Sequence, residues 1–98
     1  MIFLKIIDSP QGKILILCDE DLYGKEFRNG DCILKITSFY KGKIVKDVDQ
    51  SILEEANMIN AIGKKSLEIL VKKNIISKEE LKEVKYIEEI PYVFIVKE

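Results

Sequence analysis

The spacing of apolar residues changes near Ser51, and this change determines which fold class the sequence predicts. Before Ser51, apolar and β-branched residues come in short runs separated by turn formers, which is typical of β-strands. After it they recur every three to four residues, as in amphipathic helices, until Pro91 forbids further helix and the strand-like YVFIVK follows. Strands first, then helices, then one closing strand predict an α+β domain.

Three strands and an optional fourth are predicted before this change. Residues 1–7 (MIFLKII) and 13–18 (KILILC) flank the turn-forming loop 8–12, so they predict a β-hairpin. A third strand is predicted over residues 31–40. The short run 43–45 (KIV) is the optional fourth strand, which pairs back across the third.

Three helices are predicted after the change. Ser51 and Glu54 form a capping-box pattern that opens a first helix ending at about Ala61. A second helix is predicted over residues 64–73, and a second capping box at 77–80 opens a short third helix. The predicted order is β-β-β-(β)-α-α-α-β in one domain, residues 1–98. We expect a mostly antiparallel sheet of four to five strands, with two to three helices packed on one face and the last strand paired with the first.

The sequence contains no histidine, and this absence limits the possible catalytic and metal sites more than any motif does. Histidine is the usual general base near neutral pH and the commonest zinc ligand, so Ser–His and Cys–His catalysis are excluded. Carboxylates show no spacing that implies a catalytic pair, and neither GxxxxGK[ST] nor GxGxxG occurs. We therefore expect a non-enzymatic protein without a cofactor, and we assign no catalytic residue.

Composition sets limits on partners and location. With 34% charged residues but a net charge of −1, the whole chain is not a strongly basic nucleic-acid binder. No apolar run approaches the ~20 residues of a membrane span, and the N-terminus lacks a signal-peptide pattern, so we expect a cytoplasmic protein with no membrane partner. The Lys- and Glu-rich usage is typical of thermophile proteins, although an AT-rich genome produces the same Ile and Lys bias.

The cysteines and acids of segment 18–32, CDEDLYGKEFRNGDC, suggest a metal site, but the segment lacks the ligands that such a site needs. Two cysteines and no histidine cannot supply the four ligands of a closed zinc site. On a calcium-loop template, Tyr23 and Gly30 fall where oxygen ligands belong. We expect no metal, a short helical turn capped by an aspartate, and Cys18 and Cys32 as buried free thiols; a disulfide between them is the alternative.

The junction INAIGKKSLEILVKK (residues 59–73) resembles a helix-hairpin-helix, in which backbone amides of the second helix grip a phosphate. Lys64 and Lys65 stand where a phosphate would need them, but Ala61 replaces the first glycine of that motif. A plain corner between two helices, with Gly63 at the C-cap, explains the same residues. Residues 57–85 carry seven lysines and four glutamates, a net-positive region that is either a ligand surface or a solvated face.

Read from end to end, the chain resembles a known family in the order of five segments: MIFLKIIDSPQG, CDEDLYGKEFRNG, FYKGK, EANMINAIGKKSLEILVKKNII and IPYVFIV. Together they are similar to the archaeal family called domain of unknown function 424. The resemblance implies a small archaeal cytoplasmic protein with no established activity, in the company of translation and RNA-processing genes. Members usually carry a histidine in the last motif, where this chain has Tyr92, and no catalytic residue carries over.

The first functional hypothesis is a non-enzymatic binding protein for RNA or a translation-related partner. Its phosphate contacts would come from the helix junction, joined by two cations of the 18–32 segment. The candidate residues are Gly63, Lys64, Lys65, Lys72 and Lys73, with Lys25 and Arg28.

Two other hypotheses stay open. The aromatic strand YVFIV could lie at a sheet edge and pair with a partner protein or a second copy, giving an adaptor or a homodimer. Alternatively, the protein is an enzyme or a small-ligand binder with a pocket between the 9–12 turn, with Gln11 and Gly12, and the 18–32 segment, with Lys25 and Arg28.

Overall fold

The computed structural model describes residues 1–97 and places eight strands and three helices in them. The strands are β1 (Ile2–Ser9), β2 (Gly12–Asp19), β3 (Glu26–Asn29), β4 (Cys32–Lys35), β5 (Lys43–Val45), β6 (Met58–Ile62), β7 (Lys85–Ile87) and β8 (Ile90–Val96). The helices are α1 (Gln50–Glu55), α2 (Lys64–Lys72) and α3 (Lys78–Leu81), and short 3-10 turns lie at Glu20–Leu22 and Ser38–Tyr40. None of the helices in the described part of the chain is long and apolar enough to cross a membrane.

Six of the strands form one sheet in the order β5-β1-β2-β6-β8-β7, and β3 and β4 form a separate hairpin. The α+β class and the mostly antiparallel pairing are confirmed, but four to five strands was too few. β2 and β6 are parallel, with Ile16 opposite Asn60, because a long connection of loops, β3, β4, β5 and α1 carries the chain back across the sheet.

The first predicted helix is wrong beyond its first turns. α1 ends at Glu55, and Met58–Ile62 forms β6 at the centre of the sheet. The run MINAI is apolar enough for either structure, and pairing with β2 and β8 buries it on both sides, which decides the outcome. The predicted capping box at Ser51 is also absent, since the residue before α1 is Asp49.

Two predicted strand pairings are corrected. β8 pairs with β6 and β7, not with β1, and β5 pairs with β1, not with the strand predicted over residues 31–40. The predicted strand 31–40 is a short β4 followed by a 3-10 turn, and its partner is β3, which the sequence patterns did not reveal. Gly30 turns the chain between them with φ 61°.

The sheet has a different cover on each face. We call the side covered by α1, α2 and α3 the helix face; Leu17, Ala61, Leu67 and Leu70 are buried there in one cluster. Adjacent residues on the same strands point the other way. We call that side the hairpin face, where Cys18 and Ile62 are buried beneath β3 and β4. The prediction that the helices pack on one face is confirmed.

Candidate binding surface around helix α2

The start of α2 is fixed by a buried carboxylate from the end of β2. Asp19 is 5% exposed, and its oxygens accept hydrogen bonds from the Lys65 N–H (3.0 Å), the Ser66 N–H (2.8 Å) and the Ser66 hydroxyl (2.9 Å). Gly63 turns the chain into the helix with φ 106°, and a Cβ at this position would collide with the Asp19 carboxylate. A negative group at a helix N-terminus satisfies free amides and complements the helix dipole.

This junction changes the interpretation of residues 59–73. The helix-hairpin-helix and the helix–helix corner are both wrong, because β6 and not a helix precedes Gly63. The amides of Lys65 and Ser66 are bonded to Asp19, and Gly63 is buried. Phosphate recognition at this helix would therefore depend on lysine side chains, not on the helix N-terminus.

The outer side of α2 is a stripe of exposed charges one helical turn apart. Lys64, Glu68 and Lys72 follow at four-residue spacing, with Lys65 beside them. Within residues 1–97, none of these four side chains forms an ion pair with a partner. We call these four residues the α2 stripe; it carries three cations and one anion.

Lys73, a fifth candidate, lies apart from the stripe. Its ammonium contacts the Asp47 carboxylate at 3.1 Å, and its side chain is only 22% exposed. The hydrogen bond from Lys73 is the main cause that lowers the pKa of Asp47, helped by a backbone hydrogen bond at Val48. Lys73 thus holds the loop before α1 against α2, which leaves three of the four predicted lysines facing solvent.

A groove runs along one side of the α2 stripe. It has a volume of about 430 Å³, which is within the range of small-molecule pockets. Its floor is apolar, with Leu67 and Val71 from α2 and Pro91 from β8, and Tyr86 of β7 forms its outer wall. We call it the tyrosine groove. The Tyr86 side chain is 55% exposed, so one apolar ring faces a groove whose rim carries Lys64 and Lys72.

A second groove lies on the other side of the same helix. It has a volume of about 470 Å³, and Lys46, Lys65 and Lys72 contribute to its lining along with Asp47 and Met1. Because Asp47 is paired with Lys73, the lysines give this side a positive balance. Lys72 and Glu68 line both grooves, so the α2 stripe is the ridge between them.

The predicted pocket between the 9–12 turn and the 18–32 segment is not formed. Gly12 and Asp19 are the two ends of β2, roughly 23 Å apart at the rise of an extended strand. Gln11 is exposed at the turn, and Gly12, with φ 119°, lies against Asn57, whose side chain accepts the Lys13 N–H at 3.0 Å. These contacts assign Gly12 a structural role in the hairpin.

Lys25 and Arg28 are exposed, but they lie at the hairpin and not on the α2 stripe. The Arg28 guanidinium bonds Glu26 at 2.7 Å, and the Arg28 N–H donates to Glu88 at 2.6 Å. The hairpin covers the face of the sheet opposite α2. A ligand lying along the α2 stripe would therefore not contact Arg28.

The two cysteines have different surroundings and are both free. Cys18 is buried, as predicted, and burial with the nearby charges of Asp19 and Asp21 raises its thiol pKa to about 12. Cys32 is exposed, so the prediction that it is buried is wrong, and the alternative of a disulfide is wrong for both. Asp19 precedes the predicted short turn, but its side chain caps α2 instead.

Sequence patterns missed two members of the surface. Tyr86 stands among alternating charges in KEVKYIEE, where nothing distinguishes it from a solvated strand residue. Lys46 follows β5 and is brought to α2 only by the pairing of β5 with β1. Both placements depend on the order of the strands in the sheet, which local periodicity does not predict.

Comparisons with known proteins agree with the fold. A family model described as "Protein of unknown function (DUF424)" matches residues 7–97. The crystal structure of an uncharacterized conserved protein from Methanopyrus kandleri is similar with a TM-score of 0.79 and 24% identity, over 99% of this chain and 93% of that chain. At this identity the likeness shows the shared fold alone. No curated protein matches the sequence.

Proposed function

Because the chain belongs to the DUF424 family, as its motifs predicted, and that family is of unknown function, we propose a function from the geometry around α2. The protein is a non-enzymatic binder of single-stranded RNA, with the strand lying along the α2 stripe. The observation that carries the proposal is the shared rim: Lys64, Lys72 and the exposed ring of Tyr86 line one groove.

The lysines match the requirements of a phosphate backbone. Lys64 and Lys72 are about 12 Å apart along the helix axis at 1.5 Å per residue, and Lys65 adds a third cation on the second groove. Since none of them is neutralised by an ion pair in the described part of the chain, each is available to a phosphate. Phosphate contacts of this kind give affinity without sequence preference.

Tyr86 and the apolar groove favour a single strand over a duplex. An exposed aromatic ring binds a nucleic acid by stacking on a base, and the bases of a single strand can unstack and offer a free π-face, whereas the faces of duplex bases are covered by their neighbours. Glu68 lies in the same groove, where its carboxylate can accept hydrogen bonds from exocyclic amino groups of a stacked base. Affinity from the lysines and base contact from the groove together define the class of ligand.

Fluorescence anisotropy with short labelled oligonucleotides of cytidine and of uridine tests the proposal. Binding should be measurable at about 50 mM salt and weaken as salt rises, with a slope of log K against log salt near −2, since each single-strand phosphate contact contributes about −0.7. Lys64→Glu, Lys65→Glu and Lys72→Glu should each weaken binding. Tyr86→Ala should weaken binding without changing the slope of log K against log salt. Tyr86→Phe keeps the ring and should leave the affinity unchanged.

Lys35→Glu is the matched control, because Lys35 is an exposed lysine on β4, at the hairpin. It should leave the affinity within about twofold of the wild type, as expected of a charge outside the contact surface. No measurable binding at low salt, or equal losses for Lys35→Glu and Lys72→Glu, would overturn the proposal.

A further inference from the structure

β8, the last strand along the chain, has one edge that is paired over only part of its length. β7 pairs only with the first part of β8, from Ile90 to Tyr92, while β6 runs beside the whole of it. Within the described residues, Val93–Val96 therefore has a strand on one side and none on the other. A groove of about 290 Å³ lies beside this edge, bordered by Glu80 of α3 and by Glu83, which follows that helix.

The backbone of this edge is ready to accept another strand. The Gly63 N–H donates to Pro91 and the Lys97 N–H donates to Asn57, which sets the alternation of the β6–β8 ladder. By that alternation, the N–H and C=O groups of Phe94 and Val96 point away from β6. Their side chains are each 60% exposed, although exposed apolar edges are usually protected by charge or cover.

We propose that a second copy of this chain pairs with this edge, β8 against β8 in antiparallel orientation. A two-fold axis at Ile95 places Phe94 opposite Val96 of the second copy, and Val96 opposite its Phe94. Both pairs then occupy hydrogen-bonded positions, and the same surface is used on both copies, as a two-fold interface requires. The register centred on Phe94 would instead oppose Val96 to Tyr92, whose outward groups β7 already engages.

The charges of the paired segment are compatible with a second copy as the occupant. Lys97 is the single charged side chain of residues 93–97, and its ammonium is held by the Leu53 and Glu54 carbonyls of its own copy. In this register it lies opposite Val93 and not opposite the second Lys97, so no like charges face each other, and a net charge of −1 leaves little repulsion between copies. The contact involves few residues, so it falls below the size of stable dimers and should be reversible.

Sedimentation velocity over about 1 µM to about 1 mM tests the proposal, because small interfaces have affinities in this range. The wild type should pass from monomer to dimer. Val96→Pro removes only an N–H that faces the open edge, and Phe94→Lys places two like charges beside the two-fold axis; both should stay monomeric. Ile6→Lys is the matched control, since Ile6 is a 48% exposed residue of β1, and it should dimerise like the wild type.

Nuclear Overhauser effects between differently labelled copies give a second test that does not depend on the folding of variants. The pair Ile95–Ile95 occupies a non-hydrogen-bonded position, where opposing Cα atoms lie about 4.5 Å apart, so their Hα protons should give an intermolecular signal. A wild type that stays monomeric at about 1 mM, or a dimer that lacks this signal and tolerates Val96→Pro, would overturn the proposal.

Discussion

The two faces of the sheet differ in how completely they are covered. On the helix face, thirteen buried residues from β1, β2, β6, the helices and their connections form one cluster. On the hairpin face the cluster within residues 1–97 contains four buried residues, which lie beneath β3 and β4, and Phe94 beyond them is exposed. The difference indicates that the helix face supplies most of the stability, while the hairpin covers its face only in part and leaves the Phe94 side chain exposed.

Truncating one leucine to alanine on each face should give the largest difference in the free energy of unfolding. Leu70→Ala removes a fully buried side chain from the helix face and should cost about 2–5 kcal/mol. Leu34→Ala removes a half-buried side chain from the hairpin and should cost about 1 kcal/mol. Urea unfolding followed by circular dichroism measures both, and equal losses would show that the faces contribute alike.

Removing the Asp19 carboxylate should have the next largest effect. Asp19→Ala leaves the Ser66 hydroxyl buried without its partner and uncaps α2, which should cost about 2–4 kcal/mol. Asp21→Ala is the matched control, because Asp21 is an exposed aspartate in the same turn, and it should change the free energy of unfolding by less than about 0.5 kcal/mol. A loss as small for Asp19 as for Asp21 would contradict its role as a cap.

Part of the fold could be predicted from local sequence patterns, and part of it depends on contacts between distant residues such as Asp19 and Ser66. The β1–β2 hairpin, helix α2 and the Ser77–Glu80 capping box were all predicted from patterns within a few residues. Met58–Ile62 was not, because a short apolar run fits a helix or a strand until distant β2 pairs with it. The bond from Ser66 to Asp19 joins residues 47 positions apart, so no local motif marks it.

The candidate surface was also predicted only in part, because some of its members come from elements that are distant in the sequence. The sequence predicted helix α2 and named Lys64, Lys65 and Lys72 as candidates, and all three are exposed on that helix. Lys73 pairs with Asp47, and Tyr86 joins the groove through β7, and both outcomes depend on tertiary contacts. A local pattern thus predicts which side chains share a helix face, but not what the neighbouring elements bring to it.

The two thiols should report the two environments directly. Cys32 should react with a thiol reagent in the native protein, and Cys18 only after unfolding. Since folding raises the Cys18 pKa from 9.0 to about 12, its contribution to stability is complete below pH 9 and is lost as pH rises toward 12. Cys32→Ser should abolish the native reaction; a fast reaction that survives this substitution would contradict the burial of Cys18.

The smallest effect is expected at the Lys73–Asp47 pair, which links the end of α2 to the loop before α1. The Asp47 pKa is lowered, so its contribution to stability is present above its unfolded pKa of 3.8 and is lost as pH falls through the folded value. Asp47→Asn should therefore lower the urea midpoint slightly at neutral pH and leave it unchanged near about pH 2. An equal change at both pH values would show that the charge of Asp47 has no part in it.

The proposal that RNA lies along α2 can be tested by amide chemical-shift mapping of the ¹⁵N-labelled protein with a short single-stranded RNA oligonucleotide. Saturable shifts should cluster on residues 64–72, with Lys46 and Tyr86, while β3 and β4 stay unchanged. Shifts centred on β3 and β4, or none under low-salt conditions, would contradict it.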